Sequence, residues 1–294
     1  MAKKGYETLR IGVFHILPDR DTGDPAVIAK RAEELGFDSY WVPEHTVIPE
    51  GSCDDYPGNP PDGPPPSYLY KMPDPFLALS RAAAVTSRIR LGTGVSLVPE
   101  RNPLLLAKEI ATLDHYSRGR FLFGIGAGWN EPECTVMGGD FAHRWRQTTE
   151  AIEVMKKLWS GEYVEHHGEY YDFPRLICLP KPHQSPYPPV LLGSIGSPLV
   201  YKRVAAWGDG WMPVLTKLDE LRDGRADIVE RARANGRDPA ALMFILFGMD
   251  GMWRTADELA AVAAAGADEV VIWIKGKGEA AVVAELEALA AALL

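Results

Sequence analysis

The stretch RGRFLFGIGAGWNEPE, residues 118–133, decides the fold of this chain. Residues 120–125 predict a strand whose bulky apolar side chains suit burial on both faces of a parallel sheet. The strand runs directly into a turn that contains Gly124, Gly126 and Gly128, where the missing side chains would let the backbone approach a ligand. A dinucleotide-binding turn is the first alternative. It is disfavoured because the glycines are not spaced G-x-G-x-x-G and no acidic residue closes a second strand about 20 residues later.

Length and composition narrow the class of protein. A chain of 294 residues that is 46% hydrophobic suits one large α/β barrel or two domains. A net charge of −9 without a basic tract argues against nucleic-acid binding. The three cysteines, Cys53, Cys134 and Cys178, lack C-x-x-C spacing, so we expect reduced thiols and no metal site. With no signal-like N-terminus and no apolar run of membrane length, we expect a cytoplasmic protein without a membrane partner.

Strand and helix patterns alternate along the whole chain. Helix starts are marked by a capping residue followed by proline at Asp24-Pro25, Asp74-Pro75 and Asn102-Pro103. The predicted strands are residues 9–16, 38–45, 89–97, 120–125, 189–197, 208–214, 242–248 and 269–274. Eight strands, each followed by a helix, predict a closed (β/α)8 TIM barrel that forms a single domain over residues 1–294. The alternative is an open doubly wound sheet, which would leave hydrophobic edge strands to be covered.

Two insertions interrupt the alternation, one after strand two and one between strands four and five. Residues 46–73 contain eight prolines and three tyrosines, and they form either a floppy insertion or a lid over the end of strand two. Residues 160–188 contain a predicted hairpin around Gly168, followed by a proline-rich segment. His166 and His167 in that hairpin should point to opposite faces, so they are not expected to chelate a metal together.

The barrel fold predicts where the functional residues gather. Active sites of such barrels lie at the carboxyl ends of the strands. The strand ends carry His15, Glu44, His45, Gly94, Val95, the turn 126–130, the segment 193–197, Trp211 and Trp273, which we therefore expect around one mouth.

Several motifs carry a resemblance to a known family over nearly the full length. They are AEELGFDSYWVPEH (32–45), RIRLGTGV (88–95), LDHYSRGRFLFGIGAGWNE (113–131) and AAWGDGW (205–211). In their order and spacing the chain resembles the luciferase-like monooxygenase family, and specifically its coenzyme F420-dependent branch. The resemblance implies a deazaflavin ring in the barrel mouth with its reactive carbon at C5, or FMN as the alternative cofactor.

The resemblance also implies which residues bind the cofactor. Gly94-Val95 matches the position of a non-prolyl cis peptide that backs the ring. The cofactor phosphate would meet a helix start, where free N–H groups and the helix dipole favour an anion. The implied cofactor-binding residues are His45, Gly94, Val95, Gly126, Ala127, Gly128, Trp129, Asn130, Gly193, Ser194, Gly196 and Ser197.

His45 and Glu44 are the implied catalytic residues. His45 matches a histidine beside the ring that handles a proton, a role suited to imidazole because it titrates near neutral pH. The alternative for His45 is a strand-end histidine bonded to a backbone carbonyl. Glu44 should face away from the interior if His45 faces inward, and would then pair with a cation on a helix.

One departure from the family narrows the reaction. The sugar-phosphate dehydrogenase subgroup carries a glutamate general acid where this chain has Ala127, which argues against glucose-6-phosphate oxidation by that mechanism. The predicted function is an F420-dependent oxidoreductase that transfers a hydride between C5 and an unidentified organic substrate. The alternatives are an FMN-dependent monooxygenase and a flavin-binding protein without turnover. A tyrosine-rich lid would favour an apolar or aromatic substrate, and a homodimer is expected because family members often pair through barrel helices.

Overall fold

A closed barrel of parallel strands surrounded by helices forms the centre of the molecule. The structure is a computed structural model that describes residues 5–16, 23–60, 63–214 and 216–294. The barrel strands are β1 (Arg10–His15), β2 (Ser39–Val42), β3 (Arg90–Thr93), β4 (Phe121–Gly126), β5 (Val190–Gly193), β6 (Gly210–Met212), β7 (Met243–Phe247) and β8 (Glu269–Ile274). The helices are α1 (Pro25–Leu35), α2 (Pro75–Val85), α3 (Pro103–Ser117), α4 (Glu131–Val136), α5 (Arg144–Ser160), α6 (Pro198–Ala206), α7 (Leu218–Ala234), α8 (Ala256–Ala264) and α9 (Glu279–Leu293).

Strand pairing closes the sheet. The strands follow one another in the order β3, β2, β1, β8, β7, β6, β5, β4, and β4 pairs in parallel with β3 through Leu91 opposite Phe121. The predicted (β/α)8 barrel is therefore confirmed, and the open doubly wound sheet is excluded because no edge is left between β3 and β4.

The predicted helix starts are built as the sequence indicated. The Asp24 side chain accepts a hydrogen bond from the Ala26 amide at 2.9 Å, and the Asp74 side chain accepts one from the Leu77 amide at 2.9 Å. Each capping residue is followed by proline, whose missing N–H is not needed in the first turn. These caps fix where α1 and α2 begin.

Side chains inside the barrel close its amino-terminal end. Trp41 points inward and lies where a Cβ atom at Gly92 would be, so a glycine is required there. The Trp41 indole donates to Ser39 Oγ at 2.6 Å, and Ser39 in turn contacts the fully buried carboxylate of Glu269, which is paired with Arg90. This buried polar cluster and the Trp41 ring fill the amino-terminal part of the barrel. Space for a cavity is therefore left at the carboxyl-terminal mouth.

Strand alternation corrects two of the expected mouth residues. His15 points outward and its Nδ1 lies 3.0 Å from the Tyr40 hydroxyl, because the neighbouring Phe14 takes the inward position. Trp211 also faces the helix layer, where it packs against Tyr201 and donates to the Ser194 carbonyl at 3.0 Å. The prediction that these two side chains line the mouth was wrong.

Two differences in element boundaries matter for the site. The third predicted strand is interrupted after Thr93 by a cis peptide between Gly94 and Val95, and it resumes as the short strand Ser96–Leu97. The expected helix at 142–159 is α5, but it is preceded by the short helix α4, which the sequence prediction lacked.

The described parts of both insertions are folded. The predicted hairpin is confirmed by the antiparallel strands Val164–His167 and Asp172–Leu176, with His166 buried against Glu150 and His167 exposed beside Asp172. The described part of the insertion 46–73 packs onto the barrel mouth, includes a 3₁₀ turn at Ser67–Tyr70, and buries Cys53 and Leu69. Residues 61 and 62 of this insertion lie outside the described ranges.

The described residues lack two further kinds of feature. Among them, no helix combines the length and apolar character that crossing a bilayer requires. The same ranges hold no cluster of three or more histidine, cysteine or acidic side chains arranged to bind a metal ion.

Candidate active site

A cavity of about 320 Å³ opens at the carboxyl-terminal mouth beneath the insertion 46–73. Its walls come from barrel strand ends and from the insertion, and most of them are aromatic or aliphatic. The lining includes Phe14, His45, Tyr56, Tyr68, Met72, Gly94, Val95, Trp129, Gly193, Val214, Phe247 and Trp273. The lining contributed by the described residues contains no lysine or arginine. Such a cavity suits a largely apolar, flat molecule better than a highly charged one.

His45 is held in place by a buried carboxylate. Its Nδ1 lies 2.6 Å from Glu133 Oε2, and the Glu133 side chain is fully buried. No hydrogen bond from His45 Nε2 is found within the described ranges. This geometry fixes the imidazole ring through one nitrogen and leaves the other available to a molecule in the cavity.

Glu133 also ties down the first residues of the insertion. Its Oε1 accepts from the Thr46 amide at 2.9 Å and from the Val47 amide at 3.3 Å. Glu133 lies on α4. The start of this helix is capped by the Asn130 side chain, which accepts a hydrogen bond from the Glu133 amide at 3.2 Å. The carboxylate therefore positions His45 and the start of the lid together.

Glu133 was not among the predicted site residues, although it ends the stretch 118–133 that decides the fold. A helix of six residues is too short to show an apolar period. The signal that could have found it is the run Asn130-Glu131-Pro132, a capping residue with proline in the first turn. It resembles the pattern that correctly placed α1 to α3.

Glu44 is among the residues that line the cavity, but its carboxylate is bound to other groups of the protein. Its Oε2 accepts from the Leu97 amide at 2.8 Å, and its Oε1 accepts from Arg101 Nε at 2.5 Å. Arg101 is paired in addition with Asp74 and Glu109. Glu44 pairs with a cation, as expected, but that cation lies on the segment between the 3₁₀ turn Val98–Glu100 and α3 and not on a helix. This contact anchors the chain beyond Val95 to the end of β2.

Val95 forms a wedge between two glycine positions. A Cβ atom at Gly126 would lie 2.6 Å from Val95 Cγ2, and one at Gly193 would lie closer still to Val95 Cγ1. The predicted cis peptide between Gly94 and Val95 is present, and both residues line the cavity. Gly126 and Gly193 thus make room for a valine side chain, which in turn forms part of the cavity floor.

The turn after β4 contributes mainly through Trp129. The Trp129 ring meets His45 edge-to-face at 5.6 Å and lies 5.1 Å from the ring of Tyr56. Gly128 has a positive φ of 81°, and its carbonyl accepts from Arg144 Nε at 3.1 Å. Of the implied residues in this turn, Trp129 lines the cavity, whereas Gly126, Ala127, Gly128 and Asn130 lie behind it.

The segment after β5 leads from the cavity to the start of α6. Gly193 lines the cavity, whereas Ser194, Gly196 and Ser197 lie beyond the lining. Ser197 caps α6 by accepting from the Val200 amide at 3.3 Å, and Gly196 leaves space for Tyr201. A helix start next to the cavity is compatible with a phosphate on a molecule whose ring occupies the mouth.

The lid completes the aromatic wall. Tyr68 meets Trp273 edge-to-face at 5.9 Å, and Tyr56 lies against Trp129 on the other side of the mouth. Burial raises the pKa of the Tyr68 hydroxyl, and a hydrogen bond with Tyr56 raises it further. Tyr68 therefore remains neutral, and the rings of Tyr56 and Tyr68 cover the cavity. Apolar walls, a glycine-lined floor and one available histidine nitrogen fit the ring of a flavin or deazaflavin.

The fold and the site define a (β/α)8 barrel with an apolar cavity and an oriented histidine at its carboxyl-terminal mouth. The model of the family described as luciferase-like monooxygenase matches residues 24–289. The chain belongs to this family.

Relatives in the family differ in cofactor. The chain is 37% identical over 271 residues to the uncharacterized protein Rv0953c of Mycobacterium tuberculosis, covering 92% of this chain and 93% of that protein. It is 34% identical over 193 residues to an F420-dependent glucose-6-phosphate dehydrogenase of Kineococcus radiotolerans, covering 65% of this chain and 52% of that enzyme. It is 41% identical over 120 residues to the oxygenase component of a flavin-dependent trigonelline monooxygenase of Acinetobacter baylyi, covering 40% and 33%.

Solved structures share the fold. The monooxygenase RslO1 from Streptomyces bottropensis superposes with a TM-score of 0.76 at 21% identity, covering 97% of this chain and 98% of that one. The family comprises oxidoreductases and monooxygenases, so a flavin or deazaflavin cofactor is plausible for this chain.

The Glu133 contacts predict a stability effect. Glu133→Ala should lower the free energy of unfolding by about 3 kcal/mol, because it leaves His45 and two amides without their buried acceptor. Glu133→Gln should cost less than half of that, since its carbonyl can still accept from the amides and its NH₂ can donate to His45. Urea unfolding measures both. The control is Glu131→Ala, an exposed acid of the same helix, and equal losses for the two alanine variants would contradict the anchoring role.

Proposed function

We propose that the protein is an F420-dependent oxidoreductase that transfers a hydride between the deazaflavin C5 and a small organic substrate in the barrel mouth. The observation that carries this proposal is His45, fixed by Glu133 at 2.6 Å and facing an apolar cavity through its other nitrogen. A bound deazaflavin would supply the hydride chemistry, and the protein supplies position and proton transfer.

Each residue of the site has a part in this proposal. His45 Nε2 takes a proton from, or gives one to, the reacting group, and Glu133 orients the ring and stabilises its charged form. Gly94 and Val95, which line the cavity, would support one side of a bound cofactor ring, and Trp129 restricts the space beside His45. The amides at the start of α6 would hold the cofactor phosphate. Glu44 keeps the Val95 segment in place through Leu97, so its effect on catalysis would be indirect.

The choice of F420 over FMN rests on the sequence motifs and on a relative. The F420-dependent glucose-6-phosphate dehydrogenase matches more of this chain than the flavin-dependent trigonelline monooxygenase does, 65% against 40%. Ala127 still argues against glucose 6-phosphate as substrate, because alanine cannot transfer a proton. The absence of lysine and arginine from the described cavity lining also argues against glucose 6-phosphate as substrate.

Cofactor binding is the first test. Fluorescence titration with F420 should give a Kd in the micromolar range or below, and FMN at the same salt concentration should bind at least about tenfold more weakly. Tighter binding of FMN, together with consumption of oxygen when the flavin is reduced, would replace the proposal by an FMN-dependent monooxygenase. Tight F420 binding without turnover on any substrate tested would instead support a binding protein.

His45 provides the catalytic test. With a neutral alcohol or ketone that supports turnover, His45→Ala should lower the rate of hydride transfer by about 10² to 10⁴, the usual contribution of a positioned acid or base. Cofactor Kd should change little, so stopped-flow absorbance of F420 separates chemistry from binding. His143→Ala, which removes an exposed histidine paired with Asp140, is the matched control. A His45→Ala enzyme as fast as the control would remove His45 from the mechanism.

We further propose that the substrate is neutral and apolar or aromatic, because the lid places Tyr56 and Tyr68 over an otherwise hydrophobic cavity. Tyr68→Ala should raise KM for such substrates about tenfold, the effect of losing one large buried contact surface. Tyr70→Ala is the control, since Tyr70 lies on the same 3₁₀ turn but is exposed. Steady-state kinetics on both variants measures the difference. An unchanged KM in Tyr68→Ala would contradict the proposed substrate contact.

A further inference from the structure

A second acidic side chain lies behind the site, on the segment that follows Val95. Glu100 ends the 3₁₀ turn Val98–Glu100, and only 2% of its surface is exposed. Neither of its carboxyl oxygens has a hydrogen-bond partner in the described part of the chain. The adjacent Arg101 does not pair with it, because that guanidinium is directed to Glu44, Asp74 and Glu109.

The Glu100 carboxyl group lies against the turn that carries Trp129. A Cβ atom at Gly128 would be 3.2 Å from Glu100 Oε1, so the turn and the acid are in close contact. The segment of Glu100 packs on α4 and α5. The titratable and charged groups around Glu100 are Glu133 and Cys134 of α4, Glu44 at the end of β2, Arg101 on its own segment, and Arg144 of α5, which bonds the Gly128 carbonyl.

These surroundings favour the protonated form of Glu100. A buried carboxylate without hydrogen-bond donors is unfavourable by several kcal/mol, whereas the neutral acid is not penalised in this way. Burial, followed by the charges of Glu133 and Glu44, raises the pKa of Glu100 to about 9, and Arg101 opposes this only in part. Burial likewise raises the pKa of the Cys134 thiol to about 11, so that neighbour is neutral as well.

We propose that Glu100 is held as a neutral carboxylic acid and acts as a positioning residue for His45. By keeping its proton, Glu100 avoids a second buried negative charge beside Glu133, so that His45 faces the charge of one carboxylate. Loss of the Glu100 proton would change the electrostatic field at Glu133 and, through it, at the His45 ring. This inference concerns the protein itself and holds whether the cofactor is F420, FMN or neither.

The first experiment tests whether Glu100 is neutral. A group whose pKa is higher in the folded than in the unfolded state loses stabilising influence as pH rises between the two values. The wild-type protein should therefore become less stable as pH rises, whereas Glu100→Gln, which cannot titrate, should not. The Tm of the variant minus the Tm of the wild type should increase steadily from pH 5 to pH 9. A constant Tm difference across this range would overturn the proposal. Should the variant fail to fold, the infrared band of a protonated carboxyl in the wild-type protein at neutral pH, or its absence, decides the same point.

The second experiment tests the coupling to His45. NMR signals of the His45 ring can be assigned by their loss in His45→Ala. Their chemical shifts should change at alkaline pH in the wild-type protein, and this alkaline change should be lost in Glu100→Gln. Glu109→Gln, which removes a carboxylate from the same Arg101 cluster, is the matched control and should retain the change. An alkaline change that persists in Glu100→Gln would show that Glu100 does not act on His45 and would overturn the positioning role.

Discussion

The mouth of this barrel depends on one buried carboxylate. Glu133 has no exposure to water, and an isolated charge in such a place would be strongly unfavourable. Its cost is offset by the His45 ring and two backbone amides, which all converge on the same two oxygens. These groups come from the end of β2 and the start of the insertion. The position of α4 therefore determines the position of His45 and of the first residues of the lid.

The barrel was predictable because its determinants are local. Apolar runs such as residues 120–125 and capping pairs such as Asp74-Pro75 indicate strands and helices without knowledge of distant contacts. Strand ends identified the mouth, and His45, Gly94, Val95, Trp129 and Gly193 do line the cavity. Successive side chains on a strand alternate between the barrel interior and the helix layer, which explains why His15 lies next to the mouth in sequence but does not line it.

The remainder of the site depends on contacts between distant segments. Residues 46–73 show no period, so the sequence could not distinguish a floppy insertion from a lid. The structure shows that the insertion is organised by aromatic contacts, with Tyr56 on Trp129 and Tyr68 on Trp273. Glu100 gave no signal either, since a glutamate next to an arginine ordinarily suggests a surface ion pair. Its burial follows from the packing of its segment against α4 and α5.

The Val95 wedge links the break after β3 to the ends of β4 and β5. Gly126 and Gly193 have no side chain because Val95 occupies the space that their Cβ atoms would need. A larger residue at either glycine fits only if position 95 already carries a smaller side chain. If the glycine is replaced first, the chain passes through an overpacked intermediate. Homologous barrels should therefore vary at these three positions jointly, and the order in which the substitutions arise should be constrained by sterics.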